Sequence, residues 1–183
     1  IDRDGVINRK ANKGKYITSW DEFIFIKDTI RALKKLSKSG FKFIIISNQA
    51  GIATGDLKIH DLENIHEKMI NFLKKKNIEI LDIFISYDHW QSNSFRRKPN
   101  PGMFFEASEK YNFRLDKTFY IGDDPRDCLA AERAGCGRIL IGENVHDNEI
   151  EADYKAMKLS ELTDCLLSKF KEYEVQILKK FLK

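Results

Sequence analysis

Apolar residues along the chain fall into two kinds of run. Residues 41–46, 78–85, 118–121 and 138–141 are short, dense apolar stretches rich in isoleucine and phenylalanine. Such runs are expected of central parallel strands buried on both faces. Between them the apolar positions recur at helical spacing. Ile30, Leu33 and Leu36 make one stripe, with Gly40 suited to the position after a helix. Leu62, Ile65, Met69, Phe72 and Leu73 make a second over 60–76. Its Lys74, Lys75 and Lys76 suit the carboxyl end of a helix dipole. A third follows Pro101 with Phe104, Phe105, Ser108 and Tyr111, and a small-residue helix carries Ala130, Ala131 and Ala134. Strand and helix alternate, which predicts a parallel α/β sheet with helices on both faces and right-handed crossovers.

The two ends depart from this rhythm. Residues 8–22 are polar and read as an exposed loop or short flap beside the first strand. Ser160 can cap a last helix carrying Leu162, Leu166, Phe170, Tyr173, Ile177 and Phe181. The expected organisation is therefore a principal domain over 1–158 and a C-terminal helix over 159–183, packed on it or extending from it. Only Ile1 precedes the first acidic pair, whereas a buried strand runs about five residues. The sequence thus reads as a piece whose first strand begins upstream.

Composition narrows the classes. In 183 residues, 42% hydrophobic and 33% charged content fits one soluble globular domain. The formal net charge of +4 suits anionic small molecules, and no compact basic block points to nucleic acid. Cys128, Cys136 and Cys165 are scattered and form no C-x-x-C, so neither a disulfide framework nor a cysteine zinc site is expected. No apolar run approaches 18 residues and no signal peptide is evident, so a cytoplasmic protein is expected.

Chemistry enters at the ends of the strand-like runs. Asp2 and Asp4 flank Arg3 and precede Gly5. At the carboxyl end of a strand, residues two apart point the same way, and ligands of open α/β sheets bind there. Two adjacent carboxylates call for a cation, for which a hard divalent ion with oxygen ligands is the natural candidate. A D-x-D pair alone is commonly a turn or solvated charge. Three further stretches in fixed order raise its weight: Ser47 after the run 41–46, Lys98 after 78–85, and Asp123 with Asp127 after 118–121. Phosphoryl transfer uses such a set: a carboxylate nucleophile, a second carboxylate for proton transfer, and a hydroxyl, a lysine and a metal ion on the phosphoryl oxygens.

Four stretches carry a family resemblance: residues 2–8 (DRDGVIN), 47–53 (SNQAGIA), 97–103 (RKPNPGM) and 122–127 (GDDPRD). Together they resemble the haloacid dehalogenase superfamily of phosphatases. More closely, they are similar to the branch of D-glycero-D-manno-heptose 1,7-bisphosphate phosphatases and histidinol phosphatases. The resemblance implies a Rossmann-like fold without a large cap domain. It implies Asp2 as nucleophile and Asp4 as general acid/base, with Ser47 and Lys98 on the transferring phosphoryl group. It also implies magnesium on Asp2, the backbone carbonyl of Asp4, and Asp123, with Asn48 and Arg97 near the substrate. Asp127 matches a second motif carboxylate, acting through water or capping the following helix. Asp124 stands where relatives often carry a basic residue.

Many members of that branch hold a structural zinc with a Cys-x-His pair and a later Cys-x-Cys. The corresponding positions here are Tyr87, His89, Ser94 and Arg96, and a tetrahedral site wants four good ligands. No structural zinc is therefore expected. The resemblance implies a magnesium-dependent phosphatase of a small sugar phosphate, first of all a heptose bisphosphate; a monomer is expected because the catalytic set is complete within one chain. Histidinol phosphate is a sibling substrate, a polynucleotide 3′-phosphatase is the other enzyme reading, and a non-catalytic binding module is the third.

Overall fold

Residues 1–171 are described by the structure, a computed structural model. Strand β1 (Phe43–Asn48) pairs parallel with β2 (Ile80–Ser86). Strand β3 (Phe119–Gly122) pairs parallel with β4 (Gly137–Ile141), and β4 with β5 (Tyr154–Ala156). Ile1 and Asp2 close the gap between these two groups. The Ile1 amino group donates to Ile44 O at 2.8 Å. Ile46 N donates to Ile1 O at 3.0 Å, and Asp2 N to Ile121 O at 2.9 Å. The order across the sheet is therefore β2, β1, residues 1–2, β3, β4, β5.

The expected helices form on both faces: α1 (Lys27–Ser37), α3 (Ile59–Lys75), α4 (Gly102–Tyr111) and α5 (Pro125–Ala134), with an unforeseen single turn, α2 (Gly51–Thr54), after β1. Adjacent strand residues feed opposite cores, as the two-residue period requires. Ile45 and Ile121 join Leu33 and Leu36 of α1 and Ile65, Met69 and Leu73 of α3. Ile46 and Tyr120 join Met103 and Phe104 of α4 and Ala130, Ala131 and Ala134 of α5. Each large aliphatic side chain fully buried in this way contributes about 1.5–3 kcal/mol of transfer free energy. The small face of α5 lets that helix lie close to β3 and β4.

Three features differ from the sequence reading. The stretch 8–22 is not exposed throughout. Asn8 and Ile17 are buried, and Trp20 stacks on Phe23 at 5.3 Å, so the stretch is anchored at several points while the turn around 12–15 is exposed. Strand β5 went unforeseen, because Tyr154-Lys155-Ala156 is too short and too polar to register as an apolar run. Ser160 does not cap the last helix. Its hydroxyl donates to Asp28 Oδ1 at 2.7 Å and its amide to Oδ2 at 3.1 Å, tying the segment to α1. Residues 163–171 are helical, and Leu159 and Leu166 join the α1–α3 core while Phe170 meets Phe41. Tyr173, Ile177 and Phe181 lie outside the described residues. Among the described residues no helix is long and apolar enough to cross a membrane.

Candidate active site

Four chain segments deliver the motif residues to one edge. Asp2 stands where the chain leaves the sheet, and Gly5 turns it with φ +84°. A Cβ on Gly5 would run into the Asp123 carboxylate, so a side chain there would part the first and fourth motifs. Gly122 does the same for Asp127, whose side chain occupies the space a Cβ would need. Ser47 lies buried near the end of β1, and Asp123 directly follows β3.

Lys98 is the centre of the arrangement. Its Nζ lies 2.7 Å from Asp127 Oδ1 and 3.1 Å from Asp2 Oδ1. It also reaches Ile46 O at 3.0 Å and the Tyr120 hydroxyl at 2.7 Å. Burial would lower this ammonium's pKa, but Asp127 and Asp2 outweigh burial and raise it. Asn48 holds the Lys98 backbone from both sides, donating to its carbonyl at 2.9 Å and accepting from its amide at 3.0 Å. Asn48 thus positions Lys98 as well as lining the cavity. Arg97 lines the same cavity and donates to Asp88 O at 3.0 Å.

The fourth motif both caps a helix and shapes the site. Asp124 is the N-cap of α5 and forms a capping box with Asp127. Asp127 Oδ2 accepts from the amides of Asp123 and Asp124, both at 3.1 Å, while its Oδ1 meets Lys98. Of the two roles considered for Asp127, the helix cap is formed, and the side chain also contacts Lys98 directly. Asp124 is also paired to Arg126, Nε to Oδ1 at 2.7 Å.

Asp2 and Asp4 are treated differently by their surroundings. Burial raises the Asp2 carboxyl to about 7; Lys98 opposes this, and Asp127 and Asp123 reinforce it. Burial raises Asp123 as well, partly offset by Lys10, whose Nζ lies 2.6 Å from Oδ2. Asp4 is half-buried, which would raise its carboxyl, yet Arg3 and hydrogen bonds from Asn8, Arg3 and Gln49 hold it below the usual carboxylate range. Carboxylate oxygens of Asp2, Asp123 and Asp127 all lie within 4.8 Å of one another. This all-oxygen set fits a hard divalent cation. Both Asp127 oxygens are already engaged, so Asp2 and Asp123 are the side chains best placed to hold one. The Asp4 carboxylate turns instead toward Arg3 and Gln49.

These groups open on a cavity of about 670 Å³, walled also by the flap residues Lys10 and Lys15, by Trp90 and by Arg126. The loop positions corresponding to zinc ligands are otherwise engaged. His89 lies against Trp90 at 3.8 Å, Ser94 Oγ donates to Asp88 Oδ2 at 2.6 Å, and Arg96 pairs with Glu106 at 2.7 Å. Sequence reasoning missed Lys10, Arg3, Gln49, Tyr120 and His66. A buried tyrosine needs a partner for its hydroxyl, which was the available signal for Tyr120. Lys10 resembles any lysine of a polar flap.

An edge that gathers a nucleophile-grade carboxylate, a hydroxyl, a buried lysine and an oxygen cluster on this sheet places the chain among phosphatases of the haloacid dehalogenase type. It belongs to the family described as Polynucleotide kinase 3 phosphatase, whose model matches residues 1–162. It is 35% identical over 154 residues to a D-glycero-alpha-D-manno-heptose-1,7-bisphosphate 7-phosphatase of Photorhabdus laumondii, covering 80% of this chain and 82% of that protein. It is 33% identical over 166 residues to the Histidine biosynthesis bifunctional protein HisB of Campylobacter jejuni, covering 89% of this chain but 47% of that protein. The chain therefore spans about half the length of these bifunctional relatives. Among solved structures, it superimposes on a D,D-heptose 1,7-bisphosphate phosphatase from B. bronchiseptica complexed with magnesium and phosphate. The TM-score is 0.83 at 26% identity, over 92% of this chain and 96% of that one.

Proposed function

We propose that the chain is a magnesium-dependent phosphomonoesterase of a small sugar phosphate, D-glycero-D-manno-heptose 1,7-bisphosphate, working through an aspartyl-phosphate. The observation that carries this reading is Lys98 bridging Asp2 and Asp127 beside Ser47, on a cavity with a basic wall. Relatives named for that substrate, at 30–35% identity, support its choice.

In this reading an Asp2 oxygen attacks phosphorus and the ester P–O bond breaks. Asp4 gives a proton to the leaving oxygen, then takes one from the water that hydrolyses the acyl phosphate. Asp4 is held ionised here, so that proton arrives with the substrate or after it binds. A phosphate whose second pKa is about 6 can carry it. Ser47 and Lys98 hold the equatorial oxygens as charge develops. A magnesium ion on Asp2 and Asp123 would offset phosphoryl charge and let Asp2 ionise.

The loop 87–97 works without structural zinc, the enzyme is monomeric and cytoplasmic, and residues 1–158 form the phosphatase domain, on which the described part of the C-terminal segment packs through Leu159 and Leu166. Near-stoichiometric zinc in the purified protein would overturn the first of these points. The match to a polynucleotide phosphatase family favours a second reading, hydrolysis of 3′-phosphorylated nucleic-acid ends. Phosphate release decides between them. The panel is both anomers of heptose 1,7-bisphosphate, histidinol phosphate and a 3′-phosphorylated oligonucleotide, each with magnesium and with EDTA. Turnover of the heptose alone supports the first reading; turnover of the oligonucleotide alone replaces it with the second.

A further inference from the structure

Arg3 stands between the two reactive aspartates, yet it is only 1% exposed. A guanidinium so deeply buried is costly unless every donor is matched. Here the matches are specific. Nη2 donates to Asp4 Oδ2 at 2.7 Å and Oδ1 at 3.0 Å, and Nε donates to Oδ2 at 3.2 Å. Nη2 also reaches Gln49 Oε1 at 3.2 Å. The remaining contact runs to helix α3, where Nη1 lies 3.0 Å from His66 Nε2. Arginine has no acceptor, so Nη1 donates, Nε2 accepts, and the His66 proton sits on Nδ1.

His66 itself is buried in a helix otherwise anchored by Leu62, Ile65, Met69 and Leu73. It is the polar member of that buried row, and its place fixes one end of the Arg3 fork. The other end fixes Asp4. Gln49 completes the frame, donating to Asp4 Oδ2 at 2.8 Å and to Ser47 Oγ at 3.0 Å. The carboxylate meant to transfer protons is thereby tied to the hydroxyl meant to hold the phosphoryl group. An unframed Asp4 would have free rotamers about two bonds, and proton transfer depends on reach and angle.

We propose that His66, acting through Arg3, is a positioning residue for the Asp4 carboxylate, so that helix α3 sets the geometry of proton transfer. This rests on the phosphatase reading of Asp4. It differs from that reading in assigning work to a side chain that touches neither substrate nor metal. A glutamine carries an acceptor close to where Nε2 lies; an asparagine falls short by one bond; a leucine has none.

Steady-state kinetics of His66→Leu, His66→Asn and His66→Gln test it, using whichever phosphate monoester the unaltered chain hydrolyses. The NMR signal of the Arg3 Nε–H supplies a readout independent of turnover. Leu and Asn should lower kcat on the order of 10-fold with KM within about twofold, and Gln should restore it. The Arg3 signal should be sharp in the unaltered protein and in Gln, and exchange-broadened in Asn and Leu. If Leu fails to fold, Asn against Gln carries the comparison. Unchanged kcat in the loss variants, or an equal loss in Gln, overturns the proposal. If the unaltered chain hydrolyses no monoester, the phosphatase reading has failed separately. The Arg3 signal then decides, and a sharp signal in Asn overturns the link from His66 to Arg3.

Discussion

Around Asp2, three carboxylates cluster: Asp2 and Asp127 share one buried ammonium, Lys98, while Asp123 pairs with Lys10 at the rim. Around Asp4, one carboxylate meets one guanidinium, with the neutral groups of Gln49, Asn8 and His66. Both clusters are deeply placed and lie two residues apart in the chain. In the first, burial and mutual repulsion push Asp2 up to about 7 and raise Asp123. In the second, the partners overcome burial and hold Asp4 low. The difference separates a site that wants another cation from a frame whose charges are already matched.

The largest expected effect falls on the overcharged cluster. Asp2→Asn, which removes the proposed nucleophile, should lower phosphate release by at least about 10⁴-fold. The same variant should melt higher than the unaltered chain in EDTA at pH 7. Asp2 has a folded-state pKa of about 7 against the ordinary 3.8, so it costs stability progressively as pH rises between those values. The amide removes that cost. A lower melting temperature in the variant would show that this cluster is not overcharged. Lys98→Met should act oppositely, costing about 3–5 kcal/mol in urea unfolding by stripping the buried acids of their cation. Its cost should be greater at pH 8 than at pH 5, where the carboxylates can take up protons. An equal cost at both would break the contrast.

The first cluster was readable in the sequence and the second was not, although they interleave. Asp2, Ser47, Lys98 and Asp123 each follow an apolar strand run, so a parallel sheet brings them to one edge whatever the details. Lys98 was readable as a phosphate ligand, but its bridge between Asp2 and Asp127 depends on side-chain directions. Arg3, flanked by acids, looks like a solvated charge, yet it is buried against partners from distant segments. His66 follows Leu62 by four residues, so the helix carries it to the buried face, although its polar side chain kept it off the apolar stripe read in the sequence. Its partner lies 63 residues away, and no local pattern encodes that meeting. Likewise β5 exists because β4 offers it an edge, not because Tyr154-Lys155-Ala156 favours a strand.

Metal addition sharpens the comparison at intermediate scale. Magnesium at about 100 times its dissociation constant should stabilise the unaltered chain by about 2.7 kcal/mol, read as a rise in melting temperature. Asp123→Asn should lose that rise, since it removes a carboxylate of the unmatched cluster. Asp4→Asn should keep it, because that side chain is committed to Arg3 and Gln49. A response lost in Asp4→Asn but kept in Asp123→Asn would exchange the roles of the two clusters.

The smallest effect concerns the matched frame in acid. Burial, reinforced by the adjacent Arg3 and opposed by Asp4, lowers His66 from 6.5 to about 3. The unfolded chain therefore takes up a proton near pH 6.5 that the folded chain refuses. The stability this residue contributes is full above pH 6.5 and is lost as pH falls toward 3. At pH 5 the expected loss is about 2 kcal/mol, from 1.36 kcal/mol per unit below the unfolded value. Other carboxylates titrate in the same window, so the comparison must be made with His66→Gln, which keeps the acceptor but cannot be protonated. Urea unfolding at pH 7 and pH 5 should show the unaltered chain losing about 2 kcal/mol more than the variant over that interval. Equal losses would mean that protonated His66 is tolerated beside Arg3, and that the frame is looser than its distances imply.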